Sequence, residues 1–370
     1  MKNLTLILNT GSTSRRYSVF DGELHIQSAH IESVVPGKNY LAPLLQEWRI
    51  APSDIASVGI RVVAPGTTFR ENALIDVHYK EQLTEALNRA PLHIGGVLQE
   101  LKELETELPH AKLVGVSDSK FHSTLPDYAR VYALPKNVRE EYGIERQGYH
   151  GLSTASALSK IAKRLGAVPS KIIFCHLGGG TSVTALKNGT SLDTSMGWTP
   201  LEGVPMAKRS GNIDPGILAF LVEKLSLKGS ELETLLSTSC GLEAVSGIEE
   251  GNMKKIIETQ AQGDPCALLA FRLYVHSVRK YIGAMATVLR GCDSLVLTGA
   301  IGEGAPIMRR ALTEGLEFLG IGLDTRKNAT CVEVEDFELM GSGHLLQSVI
   351  VVKSDETSEI LRETLAFLKQ

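Results

Sequence analysis

Two arginines and two carboxylates of this sequence are candidate catalytic residues because of their types and positions. Arg61 lies inside an apolar run, and Arg209 lies in a turn-rich segment. Asp118 and Glu356 each follow an apolar run, at the ends of predicted strands, where the ligand sites of α/β proteins gather. Positive charge can bring an anionic donor to an anionic acceptor and neutralise the transition state of phosphoryl transfer. The four side chains are therefore suitable for phosphoryl transfer to a carboxylate, which is already a nucleophile at pH 7.

Each of these side chains also has a purely structural interpretation. Arg61 could form a buried salt bridge, because a buried arginine needs an anionic partner. Arg209 could be a solvated loop charge. Asp118 could cap the next helix, and Glu356 could stabilise a helix dipole from its first turn.

Two small-residue loops could receive phosphate groups. Residues 9–14 and residues 176–181 each join two predicted strands, and the second strand of each pair ends in a tight turn, Asp21-Gly22 or Asn188-Gly189. The interval from Asn9 to His176 equals that from Gly22 to Gly189, which predicts a duplicated half-molecule. Glycine loops expose backbone N–H groups to phosphate. Two ordinary hairpins are the alternative.

Further candidates are three histidines and a third glycine turn. His93, His150 and His176 are each, taken alone, more typical of packed or hydrogen-bonded histidines than of catalysts, and their spacing matches no zinc pattern. Residues 299–302 follow a predicted strand and begin a predicted helix, without the full dinucleotide-binding spacing. The sequence contains no GxxxxGK[ST] motif, which excludes a P-loop NTPase.

The elements that must position these residues alternate between strand and helix, which predicts an α/β protein. The predicted strands are residues 4–9, 16–20, 58–63, 113–116, 294–297 and 348–352. The predicted helices are residues 80–88, 97–105, 154–165, 215–225, 267–289 and 355–369.

Length and composition set the broad class. The chain has 370 residues, 43% of them hydrophobic, which is enough for two domains. A net charge of -4 argues against nucleic-acid or anionic-membrane partners. No apolar run has the length of a signal peptide or membrane span. The five cysteines form no CxxC pair, which indicates reduced thiols and a cytoplasmic protein.

Taken in order, these motifs resemble the acetate kinase family over nearly the whole chain. Residues 9–16, Asn-Thr-Gly-Ser-Thr-Ser-Arg-Arg, resemble its N-terminal Asn-x-Gly-Ser-Ser-Ser-x-Lys signature. The most specific stretch is residues 193–203, which continues through residues 209–215. Residues 61–63, 118–122, 148–151, 176–180, 299–303 and 355–356 complete the match.

The resemblance implies a fold and an activity. The fold is α/β, with two duplicated actin-like ATPase (ribonuclease H-like) domains around a central cleft. Residues 1–150, completed by a helix over about residues 357–370, would form one domain, and residues 151–356 would form the other, with the nucleotide site. The activity is reversible, Mg²⁺-dependent, in-line phosphoryl transfer between ATP and acetate, or a similar short acid, giving acetyl phosphate and ADP. Mn²⁺ could substitute, and the family usually forms homodimers.

The resemblance also implies roles for individual residues. The catalytic residues would be Arg61, Asp118, His150 and Arg209. The phosphate and nucleotide residues would be Ser12, Ser14, Arg16, His93, His176, Gly178, Gly179, Gly180, Asn252, Lys254, Gly299, Ala300, Ile301 and Gly302. The pocket for the acid would comprise Val63, Leu92, Tyr149 and Pro200. The Mg²⁺ ligands would be Asn9, Asp118 and Glu356.

Several positions depart from the acetate kinase pattern. Arg16 replaces a lysine, and residues 64–65 are Ala-Pro where His-Gly is typical. Residues 93–96 read His-Ile-Gly-Gly where the family has His-Asn-Pro-Pro. Gly179 and Gly304 each replace an asparagine, and residues 252–254 stand where Asp-x-Arg contacts the nucleotide. These changes gather on the donor side and near the acceptor entrance.

The departures leave alternatives to acetate kinase itself. One is a propionate or butyrate kinase-like paralogue, or an enzyme with another phosphoryl donor. A second is a nucleotide-binding regulatory protein without turnover. A third is a sugar kinase or ATPase of the same superfamily, in which Asp118 would serve as general base.

Overall fold

The computed structural model describes residues 3–11, 14–32, 34–35, 37–87, 91–343 and 348–370, without the side chains of residues 91–93. The chain divides into two compact units. Unit 1 comprises residues 1–120 and 355–370, and unit 2 comprises residues 121–354.

The elements alternate along the chain as the sequence predicted. The strands are β1 (Leu4–Thr10), β2 (Arg15–Asp21), β3 (Leu24–Ile31), β4 (Ile55–Val62), β5 (Ala73–Leu74), β6 (Lys112–Ser117), β7 (Lys171–Leu177), β8 (Thr181–Lys187), β9 (Thr190–Thr194), β10 (Ser294–Thr298), β11 (Phe337–Leu339) and β12 (Val349–Val352). The helices are α1 (Leu41–Trp48), α2 (Val77–Ala86), α3 (Pro91–Glu107), α4 (Asp127–Arg130), α5 (Lys136–Tyr142), α6 (Gly151–Leu165), α7 (Pro215–Leu225), α8 (Gly229–Thr238), α9 (Gly241–Ser246), α10 (Met253–Ala261), α11 (Pro265–Leu289), α12 (Gly299–Gly304), α13 (Pro306–Thr313), α14 (Thr325–Thr330) and α15 (Glu356–Leu368).

Every strand and helix that the sequence predicted is present, most of them with shifted ends. Helix α2 begins earlier than predicted because the Asp76 carboxylate accepts a hydrogen bond from the Tyr79 amide, 2.8 Å away, and so caps the first turn. Its last predicted residue, Asn88, lies outside the described residues.

The two sheets repeat one topology. The order in unit 1 is β3-β2-β1-β4-β6-β5, and the order in unit 2 is β9-β8-β7-β10-β12-β11. In each sheet a three-stranded antiparallel meander continues into two parallel neighbours and ends in an antiparallel strand. The turns at Gly22 and at Asn188-Gly189 have positive φ, as tight hairpins require. The predicted duplication is confirmed.

Parallel pairing brings the chemistry-bearing residues of unit 1 to one edge of its sheet. Strand β4 lies between β1 and β6 and runs parallel to both, with Arg61 opposite Val116. The Thr10 hydroxyl donates to the carbonyl of Arg61 over 2.9 Å, and the Asp118 amide donates to the carbonyl of Val62 over 3.1 Å. The carboxyl ends of the three strands are thereby held side by side.

Helix α15 packs against this sheet through a glycine. A Cβ atom on Gly59 of β4 would lie 2.1 Å from the hydroxyl oxygen of Thr364, so only glycine allows the helix to approach this closely. Glu363 on the same helix accepts hydrogen bonds from Lys120 at 2.6 Å and Asn72 at 2.7 Å. These contacts place Glu356, the first residue of α15, near the end of β6.

Residues 121–150, which the sequence assigned to the N-terminal domain, pack within unit 2. His122 explains this, because its ring is buried and bonds to the Ser191 hydroxyl at 2.9 Å and to the Tyr149 carbonyl at 3.0 Å. The core of unit 2 lies between its sheet and α11, with Tyr274 and Ile282 of that helix fully buried.

Two further observations concern the cysteines and the apolar character of the helices. All five cysteines are free thiols. Among the described residues, no helix combines the length and the apolar character needed to cross a membrane.

Candidate active site

Four polar side chains meet at the carboxyl edge of the unit 1 sheet. The Arg61 guanidinium bonds through Nη2 to Asp118 Oδ2 at 2.9 Å and through Nη1 to Glu356 Oε2 at 3.2 Å. Nη1 also lies 3.3 Å from Asn9 Oδ1, and the Asn9 amide donates to Glu356 Oε2 over 2.8 Å. The structure thus brings together all four of these predicted site residues from three strand ends and one helix start.

The charges of this cluster do not cancel. One guanidinium faces two carboxylates, which gives a net formal charge of −1, and Asp118 is fully buried. Burial by itself would lower the pKa of Arg61, but the charges of Asp118 and Glu356 outweigh it and raise that pKa. Arg61 therefore stays charged at any working pH. Its Nε atom is buried with no hydrogen-bond partner among the described residues, so the guanidinium has donor capacity left for a ligand.

The oxygens of the same cluster fit a hard cation. Asp118, Glu356 and Asn9 offer two carboxylates and one amide oxygen, each within hydrogen-bond distance of the Arg61 guanidinium. Mg²⁺ takes oxygen ligands of this kind, usually one or two carboxylates completed by water and substrate phosphate. Within the described part of the chain, no three His, Cys, Asp or Glu side chains are grouped so as to hold a metal ion, and the present cluster supplies two such carboxylates.

The glycine loop of unit 1 begins beside Asn9. The Gly11 amide donates to the Ser14 carbonyl over 2.9 Å, which closes a tight turn. Ser12 lies outside the described residues. Arg16 is exposed and pairs with Asn9 in the β1–β2 register, so its side chain is free to reach a ligand. Leu92 and His93 lie in the first turn of α3, but their side chains are outside the description.

Two histidines stack in unit 2. His150 precedes α6 in the left-handed conformation, with φ of 60°. Its ring lies 4.0 Å from that of His176, centroid to centroid. His150 Nδ1 bonds to the Ser182 hydroxyl at 2.9 Å, and His176 Nδ1 bonds to the Ser153 hydroxyl at 2.8 Å. Both rings are held through Nδ1, which fixes their orientation.

The glycine loop of unit 2 runs over these rings. The Gly178 amide donates to the Gly180 carbonyl over 3.0 Å. A Cβ atom on Gly180 would lie 3.1 Å from His150 Nε2 and 3.6 Å from Arg209 Nη1. Gly179 is exposed and has open space around it. Glycine at position 180 therefore lets the loop approach two candidate catalytic side chains.

Arg209 is held by its own loop. Its Nη1 lies 3.4 Å from the Pro200 carbonyl and 3.6 Å from the Met206 sulfur. The amide of Ala207 donates to the carbonyl of Gly179 over 3.4 Å, so this loop is tied to the glycine loop. His150, His176 and Arg209 thus gather around Gly180 within unit 2.

Three of the four predicted acid-pocket residues have described side chains, and all three are buried. Val63, Tyr149 and Pro200 are each buried in their own unit. The Tyr149 hydroxyl donates to the Trp198 carbonyl over 2.7 Å, which leaves the ring face as an apolar surface.

A cavity of about 810 Å³ opens beside the glycine loop of unit 2. It is lined by six predicted nucleotide residues: Gly178, Gly179, Asn252, Lys254, Ala300 and Ile301. Gly299 and Gly302 are buried beside it, and Gly299 has φ of 80°. A Cβ atom on Gly299 would lie 2.6 Å from the Leu177 carbonyl, so glycine permits this close approach.

The comparisons with known proteins identify one family. The family model described as the Acetokinase family matches residues 27–362. The acetate kinase of Phocaeicola vulgatus is 34% identical over 399 aligned residues, covering 99% of both chains. This chain belongs to the acetokinase family.

Solved structures of acetokinase relatives have the same fold. The crystal structure of Porphyromonas gingivalis acetate kinase matches with a TM-score of 0.83 at 29% identity, covering 99% of this chain and 100% of that one. A propionate kinase from Francisella tularensis matches with a TM-score of 0.87 at 28% identity, covering 98% and 99%. The predicted α/β class with two duplicated actin-like domains is confirmed. The acetokinase is an enzyme, a kinase that phosphorylates a carboxyl group.

The sequence missed several residues of this acetokinase site. Ser153 and Ser182 orient the two histidines, and the apolar lining of the cavity includes Met253, Ile257 and Val332. Ser153 lies three residues after His150, on the first turn of α6, so helical spacing could have indicated it. Ser182 and the apolar lining carried no comparable local signal.

Proposed function

We propose that this acetokinase transfers the terminal phosphoryl group of ATP directly to acetate. A carboxylate oxygen of the acid attacks the γ-phosphorus, the bond to the β,γ-bridging oxygen breaks, and ADP leaves with those electrons. No proton has to move, so the reaction needs no general base. The observation that carries the proposal is Arg61, held by Asp118, Glu356 and Asn9 with Nε still unpaired among the described residues.

Each unit has its own proposed task. In unit 1, Arg61 binds the acid's carboxylate, while Ser14, Arg16 and the adjoining Gly11 turn bind phosphate. In unit 2, His150 and Arg209 stabilise charge on the transferring group, because they lie together at Gly180. His176 supports the glycine loop that receives the donor phosphates.

Mg²⁺, with Mn²⁺ as a substitute, is the proposed cofactor. Asn9, Asp118 and Glu356 would hold it, since their oxygens surround the Arg61 guanidinium and the cluster has a net formal charge of −1. When bound, the ion neutralises phosphate charge and orients the donor.

The cavity supports a nucleotide donor. Its volume of about 810 Å³ and its apolar lining suit a nucleoside, which pyrophosphate lacks. Gly179 and Gly304, which replace asparagines of the acetate kinase pattern, line this cavity, and a Cβ at either would meet no atom within 4 Å. Both changes remove side-chain volume and amide groups, so we expect a weaker preference among nucleotide bases.

Propionate is the second candidate acceptor. The match to a propionate kinase structure favours it, and the pocket residues Val63, Tyr149 and Pro200 are all apolar. One methylene changes discrimination by only about 1–3 kcal/mol, so an acetate enzyme of this kind should also accept propionate.

A hydroxamate assay for acyl phosphate tests the proposal. It uses Mg²⁺, acids from formate to valerate, and ATP, GTP or pyrophosphate as donor. We expect product with acetate and propionate from ATP, and loss of product in Arg209→Ala. No product with any acid and donor, from folded protein that binds ATP, would instead indicate a regulatory protein without turnover. Faster phosphorylation of glucose or glycerol would indicate a sugar kinase.

A homodimer through α7 is the proposed assembly. Within the described residues, none of the side chains of this apolar helix is buried, and Phe220 is 57% exposed. An isolated helix of 11 residues is marginal in water without packing on its apolar face. We also propose a cytoplasmic location, which agrees with five free thiols.

Replacing Phe220 by glutamate should dissociate the dimer. In size-exclusion chromatography with light scattering, the wild type should show twice the chain mass of 40.0 kDa, and Phe220→Glu should show the mass of one chain. Tyr128→Glu, at another highly exposed aromatic residue, is the matched control and should stay dimeric. A monomeric wild type, or a dimeric Phe220→Glu, would contradict the assignment.

A further inference from the structure

The arginine next to Arg16 is buried and holds the glycine loop of unit 1. Arg15 Nη1 donates to the Gly11 carbonyl over 2.6 Å and to the Ser14 carbonyl over 2.9 Å. These two carbonyls are the ends of the turn that the Gly11 amide closes. One guanidinium group therefore bridges both ends of the loop.

Arg15 is itself fixed by helix α3. Its Nε forms an ion pair with Glu100 Oε1 at 2.8 Å, and the Tyr17 hydroxyl donates to Glu100 Oε2 over 2.7 Å. Arg15 and Glu100 are 3% and 1% exposed. Buried polar networks of this kind are rigid when every member is bonded. Glu100 neutralises the guanidinium, so the contribution of Arg15 to the loop is geometric.

Gly96 makes room for the guanidinium. It lies one helical turn before Glu100, on the same face of α3. A Cβ atom there would lie 2.2 Å from Arg15 Nη2 and 3.2 Å from Cζ. Glycine inside a helix costs about 0.5–1 kcal/mol relative to alanine. The space that Gly96 leaves for Arg15 explains why glycine stands at this position of the helix despite that cost.

We propose that Arg15 is a positioning residue for phosphoryl transfer and that Gly96 permits it to act. Arg15 bonds to the carbonyls of Gly11 and Ser14, so it fixes the two residues at which the loop begins and ends. This rests on the proposed function, in which the loop binds phosphate. It also accounts for the glycine at position 96, where the acetate kinase pattern has proline.

Gly96→Ala tests the inference, with Gly95→Ala as the matched control. A Cβ on Gly95 would meet only Leu87 Cδ1, at 3.8 Å, so both variants gain the same helix propensity but only one displaces Arg15. We expect Gly96→Ala to lower kcat or raise the ATP KM roughly 10- to 100-fold, with an unchanged acetate KM. Gly95→Ala should match the wild type. Equal kinetics in both variants would overturn the inference.

A second variant tests the same inference in case Gly96→Ala does not fold. Arg15→Met/Glu100→Gln removes the buried ion pair as a unit, which avoids an unpaired buried charge. It should keep the wild-type Tm and still lose activity to the same extent. Wild-type kinetics in this double variant would count against the proposed role.

Hydrogen exchange separates this inference from the proposed function. The peptide covering residues 9–17 should exchange faster in Gly96→Ala and in the double variant than in wild type or Gly95→Ala. If the wild type makes no acyl phosphate, the proposed function fails, but faster exchange still supports the Arg15 anchor. Unchanged exchange in both variants overturns the anchor whatever the activity.

Discussion

Replacing Arg61 by lysine should lower kcat/KM for acyl phosphate formation by roughly 10²–10³-fold and leave the fold intact. Lysine keeps the positive charge between Asp118 and Glu356 but lacks the planar fork of donors. Arg61 reaches three partners and retains Nε for the acid, and an ammonium cannot reproduce that geometry.

Replacing Arg61 by lysine tests the role of the guanidinium more selectively than replacing it by alanine. Arg61→Ala would leave Asp118 fully buried beside Glu356 with no cation, and breaking a buried pair in this way costs about 3–5 kcal/mol. Loss of activity in the alanine variant would then mix misfolding with lost chemistry. The lysine variant tests the guanidinium alone.

Arg49→Lys is the matched control, because Arg49 is an exposed arginine of the same unit. It should retain full activity. Binding of Mn²⁺, followed by electron paramagnetic resonance, should persist in Arg61→Lys because Asn9, Asp118 and Glu356 remain. Activity of Arg61→Lys within threefold of wild type would show that Arg61 acts only as a point charge, contrary to the proposed role.

The unit 1 site could be predicted in part because parallel strands share an edge. Asn9, Arg61 and Asp118 lie at or near the ends of three strands. The alternation of elements was enough to place Asp118 at a strand end, whereas the role of Asn9 came from the family resemblance. Glu356 lies far along the chain. Its position depends on how α15 packs at Gly59, and local sequence carries no information about that approach.

Arg15 and Arg16 show what the sequence could not decide. Adjacent strand residues face opposite sides, so one of the two arginines had to point inward. The resemblance assigned phosphate to Arg16, which is exposed, and left Arg15 without a role. The burial of Arg15 depends on Glu100 and Gly96, which belong to a helix distant in sequence.

In unit 2, the arrangement of the two histidines could not be predicted from the sequence either. The sequence placed His176 beside a glycine loop, and the resemblance gave His150 a role, but the stacking of the two rings depends on the pairing of β7 with β8. Ser182 lies opposite His176 in that register, yet its hydroxyl bonds to His150. Pairwise geometry of this kind appears only once the sheet is assembled.

Replacing Gly241 by alanine should lower kcat/KM roughly 100-fold by displacing the loop that carries Arg209. Gly241 has φ of 69°, and its Cβ would lie 2.2 Å from the Met206 carbonyl and 2.8 Å from the amide nitrogen of Arg209. Both neighbours are backbone atoms and cannot rotate away. The left-handed conformation adds about 1–2 kcal/mol of strain, and the overlap adds about 1–3 kcal/mol more.

Gly247→Ala separates strain from overlap, because the two glycines flank the same helix. Gly247 has φ of 71°, and a Cβ there would meet no atom within 4 Å. Urea unfolding should show a loss of about 1–2 kcal/mol in Gly247→Ala, with unchanged kinetics, and a larger loss in Gly241→Ala. If Gly241→Ala lost no more stability than Gly247→Ala and kept its kcat/KM, the loop would tolerate the displacement. Arg209 would then not depend on this backbone contact for its position.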